Sequence, residues 1–220
     1  MILTTYSKTN QERMLQMLFK KSEIQILQKT KQSFLKSMLR VLKNTSFDHY
    51  SNRIKSDDSM MHKLTKKGLP ATPDTALQFL TDIIGIRIVT QYIKDVYEIV
   101  NVLKQHFDVY EECDYIANPK PSGYRSYHVI IYVPLKTEQD FFGHTTVPIE
   151  IQIRTMGMDF WASLEHNIVY NRTKSNEVNS NSNESLVHNE LIHYADEIFS
   201  IDMRIQALQH LTEQQGGKTK

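Results

Sequence analysis

Residues 147–154 alternate without a break. Ile149, Ile151 and Ile153 fall on one side of an extended chain, and Glu150, Gln152 and Arg154 fall on the other. This pattern predicts a strand with one face in a core. The other face could be ordinary solvated surface, which carries polar residues routinely. Here an acid, an amide and a guanidinium alternate. The segment Lys120-Pro-Ser-Gly-Tyr-Arg-Ser-Tyr-His128 lies one expected β-hairpin away and adds glycine, aromatic and cationic groups. Together they look like a wall built for a charged, planar ligand, for which a nucleotide is the natural candidate.

The chain has 220 residues, enough for one domain with a substantial core and helical additions. Its 26 Lys and Arg nearly balance 25 Asp and Glu, so no global attraction to nucleic acid or membrane is implied. The balance hides an asymmetry, because residues 1–70 hold 14 basic against 5 acidic side chains. The single Cys113 excludes an intrachain disulfide framework and fits a reducing compartment. No signal-like start and no apolar run of spanning length occur, so a cytoplasmic protein is expected.

From about Gln11 to Lys43 apolar residues recur at helical spacing, among them Leu15, Leu18, Phe19, Leu27, Phe34 and Met38. A short helix follows, capped by Ser56 or Ser59 and stopped at Gly68, and Thr72-Pro73 opens another. Strands are expected over 83–89, 109–116, 127–135 and 147–154, with a helix over 95–107 after the first and a turn at Gly143. This order predicts an α+β domain, a mixed sheet with helices on one face. A helix over 156–170 carries the only tryptophan, Trp161. The Asn- and Ser-rich stretch 171–185 reads as a linker or mobile loop. The last helix shows Leu191, Tyr194, Ala195, Ile198, Ile201, Ile205, Leu208 and Leu211, and the tail 214–220 is expected to be disordered.

Several groups could carry chemistry. Lys55, Ser59, Lys63 and Lys67 recur every four residues, which aligns them on one face of a helix, with Arg53 just ahead. Such a stripe is tolerated in water, but the serine within it and the turn-rich lead His49-Tyr50-Ser51-Asn52 favour an anion site. Arg87 lies inside an Ile/Val run, where a guanidinium needs a carboxylate or a ligand, and Gly85 leaves the sheet open beside it. Asp82 and Glu150 are the plausible metal pair, since Mg²⁺ takes one or two carboxylates plus phosphate oxygens and water. Two unrelated surface acids would look the same by spacing. Tyr124 sits on a loop stiffened by Pro119 and Pro121. It could stack on a base, or fold back on the core as loop tyrosines more often do. There is no zinc signature, Walker-type loop or Gly-x-Gly-x-x-Gly.

Taken together, Asn52-Arg-Ile-Lys-Ser56, Lys63-Leu-Thr-Lys-Lys-Gly68, Asp82-Ile-Ile-Gly-Ile-Arg87, Ser122-Gly-Tyr-Arg-Ser-Tyr-His128, Glu150-Ile-Gln-Ile-Arg-Thr155 and Phe160-Trp-Ala-Ser-Leu-Glu-His166 resemble the synthetase domain of the RelA/SpoT family, from about Tyr50 to Tyr170. With only helices flanking the domain, the chain resembles a small alarmone synthetase, of the P-type more than the Q-type. No hydrolase activity is expected of it. The resemblance implies a synthetase domain over 49–172 behind a helical segment 1–48, a loop over 173–185 and a helix over 186–213. It implies pyrophosphate transfer from ATP to the ribose 3′-hydroxyl of GDP or GTP, with release of AMP, in the stringent response.

The same resemblance assigns roles. Arg53 and Arg87 would sandwich adenine, and Lys55, Ser59, Lys63, Lys67 and His128 would hold the ATP phosphates. Asp82 and Glu150 would hold Mg²⁺, with Glu150 also the general base. Tyr124 would stack on guanine with Lys120 and Arg125 near its phosphates, and Gln152 and Arg154 would line the acceptor site. Where some relatives carry asparagine this chain has Asp159, which could read guanine N1–H and N2–H together. The terminal helices would build a homotetramer. Two other readings stay open: a catalytically silent nucleotide- or RNA-binding regulator, favoured by the basic first third, and a nucleotidyltransferase.

Overall fold

The alternation in 147–154 is realised as the middle of a sheet. In the computed structural model, which describes residues 17–174 and 181–216, Ile149, Ile151 and Ile153 are fully buried. The elements, in order, are α1 (Lys21–Val41), a 3₁₀ turn (Leu42–Asn44), β1 (His49–Ile54), α2 (Asp57–Lys66) and α3 (Pro73–Phe79), then β2 (Ile84–Thr90), α4 (Ile93–His106), β3 (Val109–Asp114), β4 (Tyr127–Pro134), β5 (Thr146–Thr155), α5 (Met156–Lys174) and α6 (Asn181–Gly216). The five strands form one sheet in the order β1-β2-β5-β4-β3. Only β2 and β5 run parallel, so the sheet is mixed and the fold is α+β, as expected.

One sheet face is almost wholly aliphatic. Ile84, Ile86 and Ile88 of β2 lie level with Ile149, Ile151 and Ile153 of β5, and Val129 and Ile131 of β4 continue the layer. Helix α4 covers it with Val96, Ile99, Val100 and Leu103, and α1 joins with Leu27, Phe34 and Met38, Phe34 packing on Phe107 at 5.1 Å. Each such buried side chain contributes about 1.5–3 kcal/mol, so this layer fixes which face is left for chemistry. A one-residue slip of β5 would exchange the two faces.

Several expectations are corrected. The lead His49–Asn52 is not a turn but the start of β1, an edge strand paired antiparallel with β2 (Ser51 beside Arg87, Arg53 beside Gly85). It has no buried face, so no hydrophobic period announces it. Among the described residues the first helix begins at Lys21. Leu18 and Phe19 are buried ahead of it, Phe19 stacking on Phe141 of the β4–β5 turn at 6.3 Å, while Gln11 and Leu15 lie outside the described residues. Residues 171–174 continue α5 and 181–185 begin α6, so the Asn/Ser composition does not break the helices there; 175–180 lie outside the described residues. Helix propensity is a weak preference that docking overrides, and Leu191 and Ala195 dock α6 on Trp161, whose indole Nε1 donates to Leu191 O at 2.8 Å. Of the expected tail, 214–216 are helical and 217–220 lie outside the described residues. The helices also do not all share one face, since α5 leaves the end of β5 and rims the opposite one.

The punctuation residues behave as predicted. Ser56, of the two candidates, caps α2, its Oγ accepting from Ser59 N at 3.4 Å, and Gly68 stops it at φ +70°. Thr72 caps α3 with Pro73 in its first turn.

Candidate active site

Pairing of four strands brings the polar alternation of β5 together with its counterparts. Gly85 lies beside Glu150 and Arg87 beside Gln152 across the parallel pair, while His128 lies beside Gln152 on the other flank. β1 adds Arg53 and Ser51. These residues face away from the isoleucine layer and open into two adjoining spaces. A larger one, about 740 Å³, includes Lys63, Lys120, Tyr124, His128, Arg154 and the α5 residues Ser163, Glu165 and Asn167 in its walls. A smaller one, about 310 Å³, is bounded by Ser51, Asn52, Gly85 and Ile86. Arg53, Asp82, Arg87, Glu150 and Gln152 line both. A side chain at Gly85 would meet only Arg53 Cγ, at 3.8 Å, so the glycine does leave the sheet open there.

Asp82 precedes β2, where Lys55 and Lys63 converge on it, their Nζ atoms 2.7 and 3.0 Å from Oδ2. Burial alone would raise this carboxyl. The Lys55 hydrogen bond and the charges of both lysines outweigh it and hold Asp82 below the usual carboxylate range. Its other oxygen, Oδ1, is buried without a hydrogen-bond partner. Glu150 shows the same competition. Burial raises it, and His128 and Gln152 bring it below its ordinary value, with Asp82 opposing them. His128 Nδ1 lies 3.2 Å from Oε1, and Gln152 Nε2 donates to Oε2 at 2.6 Å.

On the Tyr124 side of the cleft Arg154 is buried beneath the tyrosine ring. One of its terminal nitrogens donates to the Tyr124 hydroxyl at 2.6 Å and to Gln152 Oε1 at 2.7 Å, while the other reaches Asp159 Oδ1 at 3.1 Å. Asp159 Oδ1 is shared with Arg87, also at 3.1 Å. Burial, then Arg154, pull Arg87 below its ordinary value and Asp159 pushes it back, so it remains a cation. Burial raises the Tyr124 hydroxyl despite Arg154. Lys120 Nζ stands 5.0 Å from the Tyr124 ring centre and 4.5 Å from that of Tyr115.

The expected residues are not all brought together. Lys55 precedes α2 and reaches the cleft from the end of β1, so the four-residue stripe is not one helix face. Lys67 is the exposed C-cap of α2 and lines neither space, and Ser59 is exposed, bonded to Ser56 Oγ at 2.8 Å. Arg125 points the other way. Its guanidinium donates to Ile116 O and Asp196 and lies over the Phe199 ring at 4.1 Å, so it ties the loop to α6 and does not line the cleft. His128 has both ring nitrogens engaged, by Glu150 and by the Tyr124 hydroxyl at 2.8 Å, which leaves none for a phosphate in this arrangement.

Ser163, Glu165 and Asn167 were assigned no role from the sequence. Their signal was the four-residue spacing of Ser163 and Asn167 on a helix of weak amphipathicity.

The comparisons agree with this geometry. The sequence pattern described as "Region found in RelA / SpoT proteins" matches residues 52–175. "GTP pyrophosphokinase YwaC" of Bacillus subtilis is 43% identical over 153 residues, covering 68% of this chain and 70% of that protein. The small alarmone synthetase 2 of B. subtilis superposes with a TM-score of 0.72 at 32% identity, over 87% of this chain and 99% of that one. The small alarmone synthetase 1 of B. subtilis bound to its product pppGpp gives a TM-score of 0.66 at 27% identity, over 83% and 89%. Since the matched region begins in β1 and includes all of α5 as described, it contains both walls of the cleft, and the chain belongs to the RelA/SpoT family, among its small alarmone synthetases.

Proposed function

We infer that the protein is a (p)ppGpp synthetase, moving pyrophosphate from ATP to the 3′-hydroxyl of GDP or GTP and releasing AMP. The observation that carries this is the two-space cleft whose shared wall holds Asp82 and Glu150, as a reaction joining two nucleotides requires. It agrees with the relatives named GTP pyrophosphokinase.

ATP would enter on the β1–β2 side, its adenine between the flat guanidinium faces of Arg53 and Arg87 and its phosphates toward Lys55 and Lys63. The acceptor base would stack on Tyr124, displacing Lys120 toward the phosphates, and Asp159 would read guanine with its second oxygen. Asp82 and Glu150 would hold Mg²⁺, and Asp82 Oδ1, buried with no hydrogen-bond partner, fits that as an oxygen available to a cation. The ion would supply charge neutralisation at the phosphates. Glu150, kept ionised, takes the 3′-hydroxyl proton as that oxygen forms a bond to the β-phosphorus. The bond from the β-phosphorus to the oxygen bridging to the α-phosphate breaks, and AMP leaves with that oxygen.

A homotetramer through the terminal helices is part of this proposal. Its support is the exposed apolar series Ile201, Met203, Ile205, Leu208 and Leu211 on α6, beside a groove of about 790 Å³ lined in part by Tyr97, Val102 and Phe199. A cytoplasmic location is proposed on the same footing. Among the described residues no helix is long and apolar enough to cross a membrane.

Incubation with ATP, GDP and Mg²⁺, followed by chromatography, tests the reaction. AMP with a guanosine product is expected. Pyrophosphate would mean nucleotidyl transfer, and unchanged ATP would mean a silent binder.

A further inference from the structure

The two hydrogen-bond arms that reach Glu150 begin on the same atom. A guanidinium donates and never accepts, so the bonds from Arg154 to Tyr124 and to Gln152 have a fixed direction. The Tyr124 oxygen accepts from Arg154, and its single O–H can be given to His128 Nε2, 2.8 Å away. With Nε2 accepting, the imidazole proton sits on Nδ1, which faces Glu150 Oε1 at 3.2 Å. Along the other arm the Gln152 carbonyl accepts from Arg154, so its amide nitrogen is left to donate to Glu150 Oε2. Each carboxylate oxygen therefore has one donor within hydrogen-bonding distance. Arg154 is itself fixed by burial and by Asp159.

We propose that Arg154 is a positioning residue that aims the Glu150 carboxylate through two arms, Tyr124–His128 and Gln152, with the tyrosine hydroxyl as the switchable link. The inference rests on the reading of Glu150 as the base. It gives Tyr124 two separable duties: its ring receives the acceptor base, and its hydroxyl selects the His128 tautomer. Bringing the attacking oxygen and its proton acceptor into line is worth more than the hydrogen bonds themselves, because misalignment of a fraction of an ångström costs rate without costing binding.

Tyr124→Phe keeps the ring and removes the hydroxyl. The expected result is a fall of about tenfold in kcat, with the KM for GDP changed less than about twofold. In a His128→Asn background, where a carboxamide N–H faces Glu150 and no tautomer exists, the same substitution should cost less than about twofold in kcat. An equal cost in both backgrounds, an effect confined to KM, or no effect overturns the proposal. A second measurement needs no turnover. With ¹⁵N-labelled histidine in the nucleotide-free protein, His128 should be a single Nδ1–H tautomer, and Tyr124→Phe should mix it. An Nε2–H tautomer in the unsubstituted protein, or an identical spectrum in the variant, overturns the proposal. The AMP assay reads the chemistry and the nitrogen spectrum reads the arms, so the two readings can fail separately.

Discussion

The two carboxylates of the shared wall are held in opposite ways. Asp82 is gripped on one oxygen by two lysines, of which Lys63 is 39% exposed and free to swing toward a phosphate. Glu150 is held on both oxygens by an imidazole and an amide that lead back to Arg154, only 4% exposed. The half proposed for ATP is a set of lysine point charges, suited to a triphosphate chain that changes shape during transfer. The acceptor half is a rigid hydrogen-bonded frame, suited to holding one proton acceptor at one angle. The difference follows from donor chemistry, since ammonium groups bind from many directions and planar guanidinium and amide groups from few.

The comparison can be tested from its strongest point downward. Glu150→Gln removes the proposed base and should lower kcat by about 10²–10⁴, while nucleotide binding by calorimetry largely survives; retained turnover would dissolve the contrast. Lys63→Met should act on the other half only, raising the KM for ATP about tenfold with the KM for GDP unchanged. An equal rise in both would show that the halves are not separable.

Gly123→Ala probes the loop that carries Tyr124. Its Cβ would lie 2.7 Å from Ala195 Cβ and 3.3 Å from the Ile192 backbone, at φ +90°, so a loss of about 1–3 kcal/mol should appear in thermal unfolding. An unchanged Tm would mean that the acceptor frame does not lean on α6.

The smallest effect concerns pH. Asp82 and Glu150 have folded values below their ordinary 3.8 and 4.5, so the stability they contribute is complete above those values and is lost as pH falls through the folded ones. Asp202 has the opposite sign. Burial raises it despite the Thr155 hydroxyl that donates to it, so its ionised form weakens the fold at neutral pH. Asp202→Asn should raise Tm slightly at pH 7 and have no such effect well below pH 3.8, as read by calorimetry.

Much of this was legible in the sequence because the sheet is half-buried. The period of two in β5 announced both the core face and the site face, and Gly85 and Arg87 stood out as exceptions inside an aliphatic run. β1 was not legible, because an exposed edge strand owes its existence to pairing with β2 and shows no period of its own. Lys55 was misplaced for the same reason, since regular spacing suggested a helix that begins two residues later. Arg125 was assigned through the resemblance, yet it is the neighbour of Tyr124 in an extended segment, where successive side chains point to opposite sides, and it went to α6. The links from Arg154 to Glu150 could not be read at all, since they depend on rotamers and donor direction.

The parallel pairing of β2 with β5 also sets when the site comes into being. Gly85 and Glu150 become neighbours only after the intervening helix and hairpin have been accommodated, which makes this one of the longest loop closures in the sheet. The donor-side residues up to Arg87 emerge early in synthesis, and their catalytic counterpart is among the last strand residues to be made. A partly synthesised chain can therefore present lysines to phosphate but cannot present a base to a hydroxyl, and transfer waits until the final strand has joined the sheet.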